Sequence, residues 1–143
     1  MTYAELKNKQ QKEMNAFPLG AAFSDKQFEG MMQRWGFSAE DTDKICSIGY
    51  GAFIRKSDKP AFLEMLERQK KERDEAIAAD KTGNGYIYEM FLYELNNHEY
   101  GYTYELEDTL DALDLTYEDV QKDKRLARAL EKARKKCLAQ CEF

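Results

Sequence analysis

The chain has 143 residues, of which 43% are hydrophobic and 13% aromatic, so it is long and apolar enough to form a sizeable core. Charged residues make up 34%, yet the formal net charge is only -5, which excludes a disordered composition and a uniformly basic nucleic-acid binder. We therefore expect one globular domain over residues 1–143. Its expected fold is mainly α (α+β), a compact bundle of about five or six helices with one short β-hairpin.

No targeting or membrane-spanning segment is evident. The N-terminus lacks an apolar run followed by a cleavage site, and no stretch approaches the roughly 18 apolar residues of a membrane span. Cys46, Cys137 and Cys141 form no CxxC pair, which argues against a disulfide framework and an ordinary zinc motif. We therefore predict a cytoplasmic protein with free thiols, no metal site and no cofactor. The alternative, a metal held by Cys137 and Cys141 and completed by His98 or a carboxylate, lacks a cluster of further ligands.

Two capping boxes mark helix starts in the N-terminal part of the chain. Thr2 and Glu5 predict an N-terminal helical arm over residues 1–16, because the side chain of each reaches a backbone N–H at the helix start. This arm carries few apolar residues, so we expect it to dock loosely or to contact a partner. Ser24 begins the second box and predicts a helix over residues 24–36.

An apolar run with two glycines interrupts the helical pattern. The sequence ICSIGYGAFIRK predicts a β-hairpin over residues 45–55 that turns around Tyr50. Pro60 suits the first turn of a helix, and apolar residues at helical spacing follow it. A helix over residues 58–79 is therefore expected.

The C-terminal half is expected to be helical. Apolar residues surround nearly the whole circumference of a helix over residues 86–98, which makes it the expected central helix. The tyrosine-rich stretch YGYTY predicts a turn or a short strand. Residues 105–140 predict acidic and then basic helices.

Charge is strongly segregated in this half. Residues 82–121 hold ten carboxylates and no Lys or Arg, whereas residues 122–136 hold eight basic and two acidic side chains. The two segments could pair with each other or be ordinary solvated faces, in which case each exposed pair contributes little. Alternatively, carboxylates spaced along helices imitate a phosphate backbone and occupy a basic nucleic-acid channel on another protein.

The binding hypothesis assigns its contacts to a single stretch of chain. The proposed acidic contacts are Glu94, Glu99, Glu105, Glu107, Asp108, Asp111, Asp114, Glu118 and Asp119. The proposed aromatic contacts are Tyr100, Tyr102 and Tyr104. Seven of the nine tyrosines lie in residues 82–121, and tyrosine suits interfaces because it offers a large contact area with little loss of entropy. Packing of these tyrosines in a core or at its rim is the other explanation.

No catalytic site is evident. His98 is the single histidine, and no serine or cysteine motif provides it with a catalytic partner. Gly49 and Gly51 match neither a P-loop nor a dinucleotide-binding motif. We therefore predict that the protein is not an enzyme and has no catalytic residue.

Three stretches resemble a family of small uncharacterised proteins encoded by bacteriophages and prophages. They are MTYAELKNKQQKE, SIGYGAFIRKSDKPAFLEML and YEMFLYELNNHEYGYTYELEDTLDALDLTYEDVQKD, and the likeness extends over most of the chain. Small acidic phage proteins without enzyme motifs are often inhibitors of host defence, including anti-CRISPR proteins. The resemblance thus implies a binder of a bacterial defence protein, such as a CRISPR nuclease, in the cytoplasm of an infected or lysogenic bacterium. Under this hypothesis, no direct contact with nucleic acid or membrane is expected.

Two further functions remain open. The first is a nucleotide-sequestering module, in which Arg55 and Lys56 after the hairpin hold a small phosphorylated signal. The second is a DNA-binding regulator that uses the basic C-terminal helix. Its contacts would be Lys124, Arg125, Arg128 and Lys132.

Overall fold

The computed structural model describes residues 1–141, which contain eight α-helices and one small β-sheet. The helices are α1 Tyr3–Ala16, α2 Asp25–Arg34, α3 Lys59–Ala79, α4 Tyr86–Asn97, α5 Tyr100–Thr103, α6 Glu107–Ala112, α7 Tyr117–Lys122 and α8 Lys124–Gln140. The strands are β1 Gly20–Ala21, β2 Ile45–Gly49 and β3 Ala52–Arg55, which form one antiparallel sheet in the order β1-β3-β2. The expected mainly helical α+β class is confirmed. None of the helices in residues 1–141 has the length and apolarity to cross a membrane.

Contacts within the chain define two compact units. The first comprises Met1–Lys9 and the described chain from Glu72 onward, and the second comprises Gln10–Lys71. Each unit has its own cluster of buried hydrophobic side chains. The expectation of a single domain over the whole chain stays a prediction.

The core of the first unit is built on α4, the helix predicted to be central. Ile87, Phe91 and Leu95 recur at helical spacing on α4 and are fully buried. This apolar face packs chiefly against α8, where Leu130 and Ala133 are also buried. The small alanine lets the two helices approach closely, and the shared apolar surface holds them together.

A tight loop connects α3 to α4 in the first unit. The Asp80 carboxylate accepts hydrogen bonds from the backbone amides of Gly83 at 3.0 Å, Gly85 at 3.1 Å and Ile87 at 3.0 Å. Burial raises the pKa of Asp80, but these amides outweigh it and hold that pKa below its ordinary value. Arg125, at the start of α8, donates to the Asp80 carbonyl at 2.8 Å. The beginnings of α4 and α8 are therefore fixed by the same loop.

The second unit packs α2 against the sheet. Met31 and Met32 on α2 are buried, and the rings of Phe28 and Phe53 meet edge to face with centroids 5.6 Å apart. The predicted hairpin corresponds to β2 and β3, with Tyr50 fully exposed in the turn between them. The sequence did not predict β1, because its two residues pair with β3 and carry no strand pattern of their own.

Two expectations about local structure are wrong. The N-terminal helix does not dock loosely, because Tyr3 and Leu6 are each only 6% exposed and Tyr3 belongs to the core of the first unit. The stretch YGYTY forms the short helix α5 rather than a turn or strand. Burial of the Tyr100 ring, which is 1% exposed, holds this helix in place.

Candidate functional site

Most of the predicted acidic contacts lie on the surface of the first unit. Eight of the nine carboxylates are exposed, and we call these eight residues the acidic surface. They are Glu99, Glu105, Glu107, Asp108, Asp111, Asp114, Glu118 and Asp119. Glu107 and Asp108 lie in the first turn of α6, where the positive end of the helix dipole favours carboxylates. Local structure alone therefore stabilises part of this charge.

Asp119 has a local role as well as a surface position. Its carboxylate accepts a hydrogen bond from the Thr116 amide at 3.0 Å, while the Thr116 hydroxyl accepts one from the Asp119 amide at 3.1 Å. This reciprocal capping box starts α7. The hydrogen bond from the Thr116 amide lowers the pKa of Asp119, so this carboxylate is ionised at neutral pH.

Asp114 occupies a backbone position that normally suits glycine. It follows α6 in a left-handed conformation, with a φ of 55°. The amide of Leu115 donates to the Leu110 carbonyl at 3.0 Å, and the Asp114 amide donates to Asp111 at 3.1 Å, which completes a Schellman motif. In α2 the equivalent residue is Gly36, with a φ of 77°. A side chain at this position costs on the order of 1 kcal/mol relative to glycine.

Two more residues of the acidic segment, residues 82–121, have a side chain at a left-handed position that normally suits glycine. Glu99 follows α4 with a φ of 58°, and Tyr104 follows α5 with a φ of 60°. In residues 1–141, three of the four non-glycine residues with positive φ therefore lie in the acidic segment. Residues that cost backbone free energy concentrate at functional sites. The Tyr104 ring packs against that of Tyr100 with centroids 6.2 Å apart, whereas no side-chain contact within residues 1–141 offsets this cost for Glu99 and Asp114.

Replacing Asp114 by glycine should stabilise the protein. We expect Asp114→Gly to raise the free energy of unfolding by about 1 kcal/mol, because glycine adopts the left-handed conformation without a Cβ clash. Urea denaturation followed by circular dichroism measures the change. The matched control is Gly36→Asp, which should lower the free energy by a similar amount. A loss of stability in Asp114→Gly would show that this carboxylate supports the fold.

The structure separates the three predicted aromatic contacts. Tyr102 and Tyr104 are 71% and 67% exposed, so they remain candidates for contact with a partner. Tyr100 is only 1% exposed, and its assignment to the surface is wrong. Its hydroxyl accepts a hydrogen bond from Nε of Arg134 at 2.8 Å, which joins α5 to α8. This bond raises the pKa of the Arg134 guanidinium.

The prediction that Glu94 is a surface contact is also wrong, because its side chain is only 1% exposed. The Tyr3 hydroxyl donates to Oε1 of Glu94 at 2.6 Å, and the Lys7 ammonium donates to the same oxygen. Nε2 of His98 lies 3.3 Å from Oε2 without forming a hydrogen bond. We call Tyr3, Lys7, Glu94 and His98 the Glu94 cluster. It holds the start of α1 against α4 inside the first unit.

The charge of Glu94 depends on its partners. Burial raises the pKa of this carboxyl, but the hydrogen bonds from Lys7 and Tyr3 outweigh burial and hold the pKa below its ordinary value. Burial also raises the pKa of the Tyr3 hydroxyl, and the bond to Glu94 adds to that increase. Nζ of Lys7 lies 4.9 Å from the centre of the Tyr93 ring, which adds a cation–π contact. The cluster is thus a buried carboxylate with a partly exposed cation.

Sequence reasoning missed Tyr3 and Lys7. One signal was present, since Glu94 follows Phe91 by one helical turn and directly precedes Leu95 on the most apolar helix. That position points toward the buried side of α4. The partners could not be predicted, because they lie 91 and 87 residues away in the chain.

The family comparison covers nearly the whole chain. A family of unknown function, DUF7659, matches residues 2–136. The chain belongs to this family. No curated protein and no solved structure matches it. The DUF7659 match includes both the acidic surface and the Glu94 cluster, but the family description assigns no activity to either.

A groove beside the Glu94 cluster also lies within the DUF7659 match. It has a volume of about 380 Å³ and lies between the start of α1 and one face of α4. Its lining residues are Thr2, Tyr3, Ala4, Glu89, Leu92, Tyr93 and Asn96. Within residues 1–141, no group of three or more His, Cys, Asp or Glu side chains could hold a metal ion. Most of the lining surface of the groove is apolar, so the groove offers mainly apolar and aromatic contacts.

The nucleotide-sequestering and DNA-binding hypotheses each include an arginine that already donates hydrogen bonds to other residues of this chain. Nε of Arg55 donates to Asp58 at 2.8 Å. Arg125 donates to Asp123 at 2.8 Å and also to the Asp80 carbonyl. Arg125 is therefore a structural residue and is not a free contact for DNA.

Proposed function

We propose that this protein is a binding inhibitor rather than an enzyme, and that its acidic surface occupies a basic nucleic-acid channel of a bacterial defence nuclease. The observation that carries this proposal is the exposure of eight carboxylates in a stretch of chain without Lys or Arg. Such a surface attracts a cationic channel over a distance and accelerates association. A CRISPR nuclease is the expected class of partner.

The lack of ion pairs to these carboxylates within residues 1–141 supports the proposal. Within residues 1–141, none of the eight forms an ion pair, and the ion pairs of the basic segment are local ones to Asp123 and Glu131. The acidic and basic segments therefore do not neutralise each other through direct ion pairs. Binding to a cationic surface therefore breaks no internal ion pair of these carboxylates, although Asp119 also caps α7 and interacts electrostatically with Lys122.

The side chains at left-handed positions support the same proposal. Glu99, Tyr104 and Asp114 each replace the glycine that would stabilise a helix end, and all three are exposed. A binding role accounts for the retained side chains, because proteins exchange stability for function at such sites. The resemblance to phage-encoded accessory proteins favours a bacterial defence system as the target.

The first test is co-purification from bacterial lysates that express CRISPR and other defence systems. The tagged protein should recover a nuclease at low salt and lose it at moderate salt, since exposed charges are screened within about 10 Å at 0.1 M salt. The recovered nuclease is then purified, and its cleavage of target DNA is measured with and without the protein. Recovery without inhibition of cleavage would contradict the proposal.

A further inference from the structure

Helix α8 has a buried side and a strongly basic exposed side. Its buried residues are Leu126, Ala129, Leu130, Ala133 and Cys137. At 100° per residue, four of its exposed cations lie away from this buried side, and the fifth, Lys136, lies at its edge beside Ala129. They are Lys124, Arg128, Lys132, Lys135 and Lys136, and we call them the basic stripe. The two remaining arginines of α8, Arg125 and Arg134, are bound inside the first unit.

The basic stripe is regular. Lys124, Arg128, Lys132 and Lys136 follow one another at intervals of four residues, or about 6 Å along the helix axis. The stripe is therefore about 18 Å long, which corresponds to roughly five base pairs of a duplex at 3.4 Å per step. Each step of four residues exceeds a full turn by about 40°, so the row winds by about 120° around α8 between Lys124 and Lys136. A rigid helix thus presents a winding row of cations on the length scale of a phosphate backbone.

The stability of α8 does not explain this arrangement. Like charges four residues apart repel each other, and in the described chain no cation of the stripe forms an ion pair with a carboxylate. Lys124 occupies the first residue of α8, where the helix dipole disfavours a positive charge. Only Lys132 has a recorded internal contact, a cation–π contact 4.7 Å from the Tyr88 ring centre. Apart from this contact of Lys132, no packing contact within residues 1–141 accounts for the cations of the stripe.

We propose that the basic stripe binds the phosphate backbone of a nucleic acid without reading its bases. A membrane surface is a poorer match, because a membrane-binding helix inserts apolar residues beside its cations, whereas the apolar side of α8 is buried. Four of the five cations are lysines, which bind phosphate as point charges. This surface departs from the expectation of no contact with nucleic acid, which belonged to the inhibitor hypothesis, and agrees with the DNA-binding alternative for the C-terminal helix. It does not depend on the proposed inhibitor function.

The test is fluorescence anisotropy of a labelled 20-base-pair duplex, which is about four times as long as the stripe, titrated with the full chain from 20 to 150 mM salt. We expect a dissociation constant of about 10⁻⁴ to 10⁻⁶ M at 150 mM salt and much tighter binding at 20 mM, with a slope of log affinity against log salt near -3.6 for about four phosphate contacts. The variant Arg128→Gln/Lys132→Gln should bind about tenfold more weakly, and its slope should become less steep by about 1.8.

A matched control distinguishes the loss of stripe contacts from the loss of net positive charge. Lys12→Gln/Lys59→Gln removes two exposed cations outside α8 and should bind the duplex like the unmodified chain. If Arg128→Gln/Lys132→Gln does not fold by circular dichroism, Lys135→Gln/Lys136→Gln replaces it. Absence of binding at 20 mM salt, or equal weakening by the control, would overturn the proposal. Tighter binding to phosphatidylglycerol vesicles, or to polyglutamate, than to the duplex would also overturn it.

Discussion

Reversing three carboxylates of the acidic surface should abolish inhibition of the nuclease. The variant Asp108→Lys/Asp111→Lys/Asp114→Lys changes the net charge by six units and replaces attraction to a basic channel by repulsion. We expect the affinity for the nuclease to fall by about 100-fold or more, mostly through slower association. Surface plasmon resonance with the purified nuclease measures both rate constants.

A second charge reversal controls for net charge. Glu40→Lys/Glu64→Lys/Glu67→Lys introduces the same change on exposed residues of the second unit. This control should keep most of the affinity, and both variants should keep the helical circular dichroism spectrum. The lysine in the first turn of α6 should cost only about 0.3–1 kcal/mol of stability. Unchanged inhibition by the folded acidic-surface variant would sink the assignment of this surface.

Loss of the buried charge at Glu94 should destabilise the fold more than any surface change. In Glu94→Leu the Tyr3 hydroxyl stays buried without its acceptor, while Lys7, whose side chain is 40% exposed, can turn toward water. We therefore expect the free energy of unfolding to fall by about 2–3 kcal/mol, measured by urea denaturation. Adding Tyr3→Phe should recover part of the loss, because the buried hydroxyl is then absent.

The control for this substitution lies on the same helix. Glu89→Gln changes an exposed carboxylate whose contact with the Tyr3 amide is long, at 3.4 Å. It should cost less than about 1 kcal/mol. If Glu94→Leu is no less stable than Glu89→Gln, the Glu94 cluster contributes nothing to stability.

The contribution of Glu94 should also depend on pH in a defined direction. Because its pKa is lower in the folded protein than in the unfolded chain, the charged form stabilises the fold above the unfolded value of about 4.5. This stabilisation should disappear as the pH falls through the lower, folded pKa. The difference in unfolding free energy between the unmodified chain and Glu94→Gln should therefore shrink from pH 7 to pH 3. A constant difference would contradict an ionised Glu94.

The parts of the fold that local sequence determines could be predicted. The Ser24 hydroxyl accepts from the Gln27 amide at 3.2 Å and starts α2 as expected. The central helix begins at Tyr86, where the apolar pattern begins. Both features depend on residues within one or two helical turns, so sequence spacing contains the necessary information.

The remaining features depend on partners that are distant in the chain. Strand β1 exists because it pairs with β3, about thirty residues later. Helix α5 and the burial of Tyr100 depend on Arg134, which is 34 residues away. Glu94 looked like one more surface carboxylate because Tyr3 and Lys7 could not be assigned to it. Exposure could be predicted for eight of the nine acidic contacts, since charged residues are rarely buried without a partner.

The most direct test of the inhibitor hypothesis is displacement of nucleic acid from the nuclease. Fluorescence anisotropy follows labelled target DNA on a purified, guide-loaded CRISPR nuclease as the Arg128→Gln/Lys132→Gln variant, whose own DNA binding is weakened, is added at 50 and 300 mM salt. We expect the DNA to be released, with much more protein required at the higher salt, because an acidic surface then competes for the same cations. A complex in which the nuclease holds the protein and its DNA together at both salt concentrations would contradict a phosphate-like role for the acidic surface.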